Sequence, residues 1–205
     1  MPTMLILTGP QGSGNHLFSK VFAQHPDVYG WDELNQTYWI GHDQEPFAKY
    51  WYKPELLHSF DWSQSEYYIT SISCPYVHYS KTVEPDYQAF IKALQSLGID
   101  VKIAVIGRDQ NILEYQQTRV RGQVSLHKFM NNIEYLLPFD PVFISQELLY
   151  LYKDKYVQSL SAQLNFPVSL DVTEILKEDA NSKYFKPVDT HWLDEEVKRA
   201  STKKE

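Results

Sequence analysis

The stretch "MLILTGPQGSGNHLFSKVFAQHPDV", Met4–Val28, decides how the chain is read. The apolar run Thr3–Thr8 closes on Gly9-Pro10, as a buried parallel strand does. Apolar residues at 17, 18, 21 and 22 then mark one face of a helix that ends near His25-Pro26. Between strand and helix lies "GPQGSG". Its glycines, Gly9, Gly12 and Gly14, let the backbone turn tightly and approach an anion closely. Backbone N–H groups from Gly12 to His16 can converge on one point, and the helix adds the positive end of its dipole. The spacing Gly9-x4-Gly14 fits a Walker A phosphate loop. The next two positions depart from it. Asn15 stands where a Lys would reach a β/γ-phosphate, and His16 stands where a Ser or Thr would ligate Mg²⁺. Both departures argue against nucleoside triphosphate hydrolysis. They leave open an anion held by backbone, or a glycine-rich turn with no ligand.

Outward from this loop, strands alternate with helices. Tyr67–Ser73 and Val101–Gly107 read as further strands, and Pro141–Ser145 as a fourth short one. The predicted helices are "PDYQAFIKALQSLG" with Gly98 as C-cap, "NILEYQQTRV", "LHKFMNNIEYLL", one long helix over Gln146–Asn165, and a short one near Asp194–Ala200. The segment Tyr29–Ser65 is aromatic and irregular. Its Trp and Tyr content suits an aromatic-rimmed cleft and an aromatic core equally. The alternation predicts an α/β three-layer sandwich with a central parallel sheet, in one domain over residues 1–205 with a frayed end. In such sheets a ligand lies at the carboxyl ends of the strands. The first loop, the turn after Gly107 and the segment after Ser73 would meet there.

Composition narrows the classes. The 205 residues suffice for one domain with a sizeable core. A net charge of −7 is a poor basis for general nucleic-acid or anionic-membrane binding, so neither partner is expected. Cys74 is the single cysteine, which excludes an internal disulfide and a Cys-based zinc site. No histidine spacing suits a structural metal, and none is expected. "MLILTG" is too short for a signal or membrane segment, and the expected location is cytoplasmic.

The ordered set of motifs resembles the P-loop sulfotransferase family. "TGPQGSGNHLFSKVFAQHPDV" resembles the family's strand, G-P-P-R-S-G-T-[ST]-L-L loop, helix and H-P-x-V turn. "VKIAVIGRDQNILEYQQ" resembles its strand ending in R-D-P. "PVFISQELLYLYKDKYVQSLSAQLNFPV" resembles its strand, E-D-L turn and long helix, and "NSKYFKP" its short basic segment before the last helix. The resemblance implies a sulfotransferase-like topology and a donor, 3′-phosphoadenosine 5′-phosphosulfate. Gly12, Ser13, Gly14, Asn15 and His16 would hold the 5′-phosphosulfate. Arg108 would contact the 3′-phosphate, with Gln116, eight residues on, in place of the family's serine. Gly12 replaces the family's Lys or Arg, which stabilises charge on the leaving oxygen. Lys20, Arg119 and Arg121 are candidate substitutes.

Sulfuryl transfer needs an acceptor in line and a base for its proton. By the family's pattern an acidic base follows the first helix, where Asp32 and Glu33 stand, Glu33 preferred; an acidic first helical turn explains the pair equally. His16 is a second candidate base, since a helix N-terminus favours a neutral ring. His78 is a third. The expected activity is sulfuryl transfer to a hydroxyl of a small molecule, glycan or peptide. The alternatives are a noncatalytic phospho-ligand-binding protein and a kinase or NTPase with a degenerate Walker A loop.

Overall fold

The computed structural model describes residues 1–31, 41–169, 171–172, 174–177, 179 and 181–202. Five parallel strands form the central sheet. They are β1 (Thr3–Pro10), β2 (Val28–Tyr29), β3 (Tyr67–Cys74), β6 (Asp100–Gly107) and β7 (Val142–Ser145), in the spatial order β2-β3-β1-β6-β7. A separate antiparallel hairpin, β4 (Tyr76–His78) and β5 (Lys81–Val83), follows β3 directly. The helices are α1 (Asn15–Ala23), α2 (Ala48–Tyr52), α3 (Tyr87–Ser96), α4 (Gln110–Arg121), α5 (Leu126–Asn132), α6 (Gln146–Tyr152), α7 (Asp154–Leu164) and α8 (Ser182–Thr202).

β1 lies at the centre and is covered on both faces, which is why it reads as an unbroken apolar run. Successive side chains point to opposite faces of a strand. Leu5 and Leu7 accordingly enter one core with α1 and α7, through Phe18, Val21, Phe22, Val157 and Leu160. Met4 and Ile6 enter the other with α2 and α3, through Trp51, Phe90, Ile91 and Leu94. This is the three-layer α/β sandwich expected from the alternation. Much of the aromatic content is core. Trp51 stacks on Phe90 with ring centroids 3.8 Å apart, and Tyr29, Phe47, Phe60, Trp62 and Tyr68 pack ring on ring. Cys74 is buried in this second core, and burial, then the Glu84 charge, pushes its thiol up to about 12.

Two expected elements are corrected. The long helix over Gln146–Asn165 is broken at Lys153, whose φ of 45° ends α6 and starts α7. A straight helix would carry residue 156 roughly 15 Å from the end of β7. The break instead brings the Tyr156 hydroxyl to within 2.8 Å of the Ser145 amide, which donates to it. The short helix near Asp194–Ala200 is the far half of the 21-residue α8. Pro187 lies inside α8. It sits near the start, where it removes a single bond, to the Lys183 carbonyl.

The chain runs from β1 to β2 and β3 on one side, then crosses to β6 and β7 on the other. The direction of winding therefore reverses at β1, and the carboxyl end of β1 is the switch point where ligands of such sheets bind. Register places Gly9 beside Ser73, and Gly107 beside Ser145, at that end.

Candidate functional site

The loop from Pro10 to Gly14 sits at the switch point. Gly12 and Gly14 have φ of 89° and 112°, left-handed backbone that favours glycine. The Ser13 amide donates to the Pro10 carbonyl at 3.1 Å, closing the turn. Gly14 is the N-cap of α1 and supplies no side chain to its first turn. That turn's N–H groups therefore face the loop without a side-chain cap.

The outer wall is braced from two sides. Gln117 of α4 donates to the Gln11 carbonyl at 2.8 Å and accepts from the Ser125 and Leu126 amides at the start of α5. The Gln11 side chain accepts from Ser125 Oγ at 3.0 Å. On the other side Asn15 donates to Ser73 Oγ of β3 at 3.0 Å. On these two sides neutral side chains fix the loop.

Arg108 leaves the end of β6 and meets this loop. Its Nη1 donates to the Gly12 carbonyl at 2.7 Å and to Gln116 Oε1, and its Nε donates to Asn181 Oδ1 at 2.9 Å. Its Nη2 is buried without a hydrogen-bond partner. Among the described residues no carboxylate lies within ion-pairing distance of it. Burial pulls the guanidinium pKa down, against the raising effect of Tyr184, Glu147 and Asp179. Asn181 also accepts from Gln146 Nε2 at 3.3 Å and donates to Glu147 at 3.2 Å. Beyond Asn181 opens a cleft of 680 Å³ bounded by Ile112, Glu147, Tyr150, Leu176 and Asp179 among others. Gln116 fills the space beside Gly12, where an added Cβ would lie 3.1 Å from Gln116 Oε1.

A second polar cluster lies on the β3 side. His16 Nε2 is 2.9 Å from Glu45 Oε1, and Ser71 Oγ donates to Glu45 Oε2 at 2.6 Å. His42 Nδ1 lies 2.8 Å from the same Oε1, though without hydrogen-bond alignment. The edge of Trp31 meets the His16 ring at 5.5 Å. Glu45 is 5% exposed. Its burial works to raise the carboxyl pKa, and the His16 hydrogen bond together with the close approach and charge of His42 and His16 outweighs that and holds it below the usual range. A depressed folded-state value means that Glu45 stabilises the fold above its unfolded-state value of ~4.3, and that this is lost as pH falls through the folded-state value. Urea unfolding from neutral to acid pH should therefore show a flatter acid limb for Glu45→Gln than for wild type. Superimposable limbs would contradict this.

The structure brings together Gly12, Ser13, Gly14, Asn15, His16, Arg108 and Gln116 around one loop. Glu33 and Asp32 lie outside the described residues. His78 is elsewhere, on the β4–β5 hairpin, 3.0 Å from Asp43 and stacked on Tyr52. Arg119 donates to the Tyr184 hydroxyl at 3.2 Å, and Arg108, Arg119 and Lys183 all lie over the Tyr184 ring. Among the described residues no group of three or more His, Cys, Asp or Glu is placed to hold a metal ion, and no helix is long and apolar enough to cross a membrane. Sequence reasoning missed Glu45, Gln146 and Asn181. The signals were a His and a Glu three apart in "HDQE" and an Asn opening "NSKYFKP".

No family model matches the chain, and no curated protein does. The solved structures that the chain resembles include these two. One is a mouse sulfotransferase, SULT7A1, complexed with PAP, at 15% identity and a TM-score of 0.48, covering 89% of this chain. This chain spans 66% of that chain's length. The other is a tunicamycin resistance protein of Deinococcus radiodurans, at 13% identity and a TM-score of 0.48, covering 82% of this chain and 99% of that one. Likeness at this level carries no argument about activity, which rests on the residues of the site.

Proposed function

We propose that the chain binds 3′-phosphoadenosine 5′-phosphosulfate at this loop and transfers its sulfuryl group to a hydroxyl of a small molecule, glycan or peptide. The observation that carries the reading is the buried Nη2 of Arg108, a cationic donor beside the loop with no protein acceptor. An unmet buried donor costs about 1–3 kcal/mol, which an anionic ligand oxygen would remove. The residues fit such a ligand. The loop amides from Gly12 to His16 would hold the 5′-phosphosulfate, and Arg108 with Gln116 would hold the 3′-phosphate. The cleft beyond Asn181 is of a size that takes small ligands, and it offers room for the nucleoside. The donor supplies an activated sulfuryl group. His16 is the candidate base that takes the acceptor's hydroxyl proton.

One observation favours a second reading, phospho-ligand binding without turnover. Gly12 bears no cation and Gln116 crowds the space a longer side chain would need. The two readings part on a transfer assay. With donor labelled in its sulfuryl group and a panel of hydroxyl acceptors, label is expected to move to an acceptor. Ligand binding with no transfer would favour the second reading. Transfer of the γ-phosphate from Mg²⁺-ATP would overturn both.

A further inference from the structure

We infer that Glu45 is the positioning residue for His16, fixing the ring's tautomer and compensating the charge it gains when it takes the acceptor's proton. The inference rests on the sulfuryl-transfer reading above. A carboxylate taken out of water costs several kcal/mol unless other groups compensate it. Around Glu45 the described groups that can do so are two imidazoles and a hydroxyl. His16 reaches it from α1, His42 from its own turn, and Ser71 from β3. Among the described residues no Lys or Arg pairs with it. The carboxylate is therefore best compensated when an imidazole beside it is protonated.

His16 is the imidazole that also belongs to the loop. Its Nε2 faces an acceptor that cannot donate, so the neutral ring carries its proton on Nε2. Nδ1 is then a free lone pair at the second residue of α1, and no described side chain bonds it. In the transfer, the hydroxyl proton goes to Nδ1 and the hydroxyl oxygen forms the bond to sulfur. The bond from sulfur to the 5′-phosphate oxygen breaks, and 3′,5′-adenosine bisphosphate leaves with that electron pair. The imidazolium formed lies 2.9 Å from Glu45 Oε1 and returns its proton to water after release. His42 contributes a second ring at 2.8 Å from that oxygen without a bond to it.

The test uses the full chain as wild type, His16→Ala, Glu45→Gln and the double variant. Donor turnover is followed as bisphosphate release, with glycerol as the hydroxyl probe, across a range of pH. Glu45→Gln keeps an acceptor for Ser71 and the side-chain volume. It should lower kcat by about 100-fold, within the usual contribution of a general base. It should leave the donor KM within about twofold. The double variant should be no slower than His16→Ala, because the two residues act as one unit. Losses that multiply, or an unchanged kcat in Glu45→Gln, would overturn the inference. Nitrogen-15 spectra of the imidazoles give a second readout that needs no turnover. The expected His16 ring is protonated on Nε2 in wild type and loses that preference in Glu45→Gln; a ring protonated on Nδ1 in wild type overturns the inference. A wild type that binds no bisphosphate would overturn the transfer reading beneath it, and is told apart from these outcomes by titration.

Discussion

Arg108→Ala is expected to weaken binding of 3′,5′-adenosine bisphosphate by about 100-fold or more. Truncating one partner of a buried, hydrogen-bonded charge pair costs ~2–5 kcal/mol, and ~1.4 kcal/mol is tenfold in affinity. Arg108 is placed to show an effect of this size. It donates to the Gly12 carbonyl, to Gln116 and to Asn181, and still presents a buried Nη2 that the protein does not satisfy. Loss of the side chain removes the ligand's cation and frees one loop carbonyl together. Arg108→Lys keeps a charge and loses the planar fork, so it should recover only part of the affinity. Calorimetric titration of the three proteins checks this. Equal affinity for wild type and Arg108→Ala would show that the guanidinium is a loop brace and nothing more.

Gly14→Ala should destabilise the loop through backbone strain and crowding together. Gly14 holds a φ of 112°, and a Cβ there would lie 2.7 Å from Gln146 Oε1. Left-handed strain and overpacking each cost ~1–3 kcal/mol, so a combined loss of about 2–6 kcal/mol is expected. Gly98 supplies the control. It has a φ of 75°, and an added Cβ would meet nothing within 4 Å, so Gly98→Ala should cost about 1–2 kcal/mol, from strain alone. Urea unfolding of both variants separates crowding from strain. Equal losses at the two sites would mean that Gln146 yields freely and that its packing on the loop is unimportant.

How much of this was legible in the sequence depended on how local the cause was. β1 and the loop could be read because a strand buried on both faces is apolar throughout, and because left-handed turns favour glycine. α3 could be read from its amphipathic stripe, and its N-cap Asp86 accepts from the Ala89 amide at 2.9 Å. The β4–β5 hairpin gave no signal. Its two-residue turn is Tyr79-Ser80 at φ of 43° and 65°, a geometry usually announced by Asn-Gly. The break at Lys153 was equally silent, since no Gly or Pro marks it and the Tyr156–Ser145 hydrogen bond that accompanies it forms only in the folded chain. β2 is a two-residue edge strand, too short for any periodicity.

The site divides the same way. Its backbone half, Gly12 to His16, is contiguous and was visible. Arg108 and Gln116 are eight apart on one turn and helix, and they meet beside Gly12 as that spacing allows. The pairing of Glu45 with His16 was not legible, because it spans 29 residues that include the least patterned part of the chain. Asn181 lies 73 residues from the Arg108 it accepts from. Contacts of that range follow from the sheet's strand order, and no local pattern carries them.

The measurement that bears most directly on the loop as an anion site for a 3′-phosphorylated adenylate is titration of the wild-type chain with 3′,5′-adenosine bisphosphate, set beside ATP with and without Mg²⁺. The loop and Arg108 predict saturable bisphosphate binding that needs no Mg²⁺ and exceeds the binding of ATP. ATP binding that requires Mg²⁺, with no response to the bisphosphate, would contradict the account.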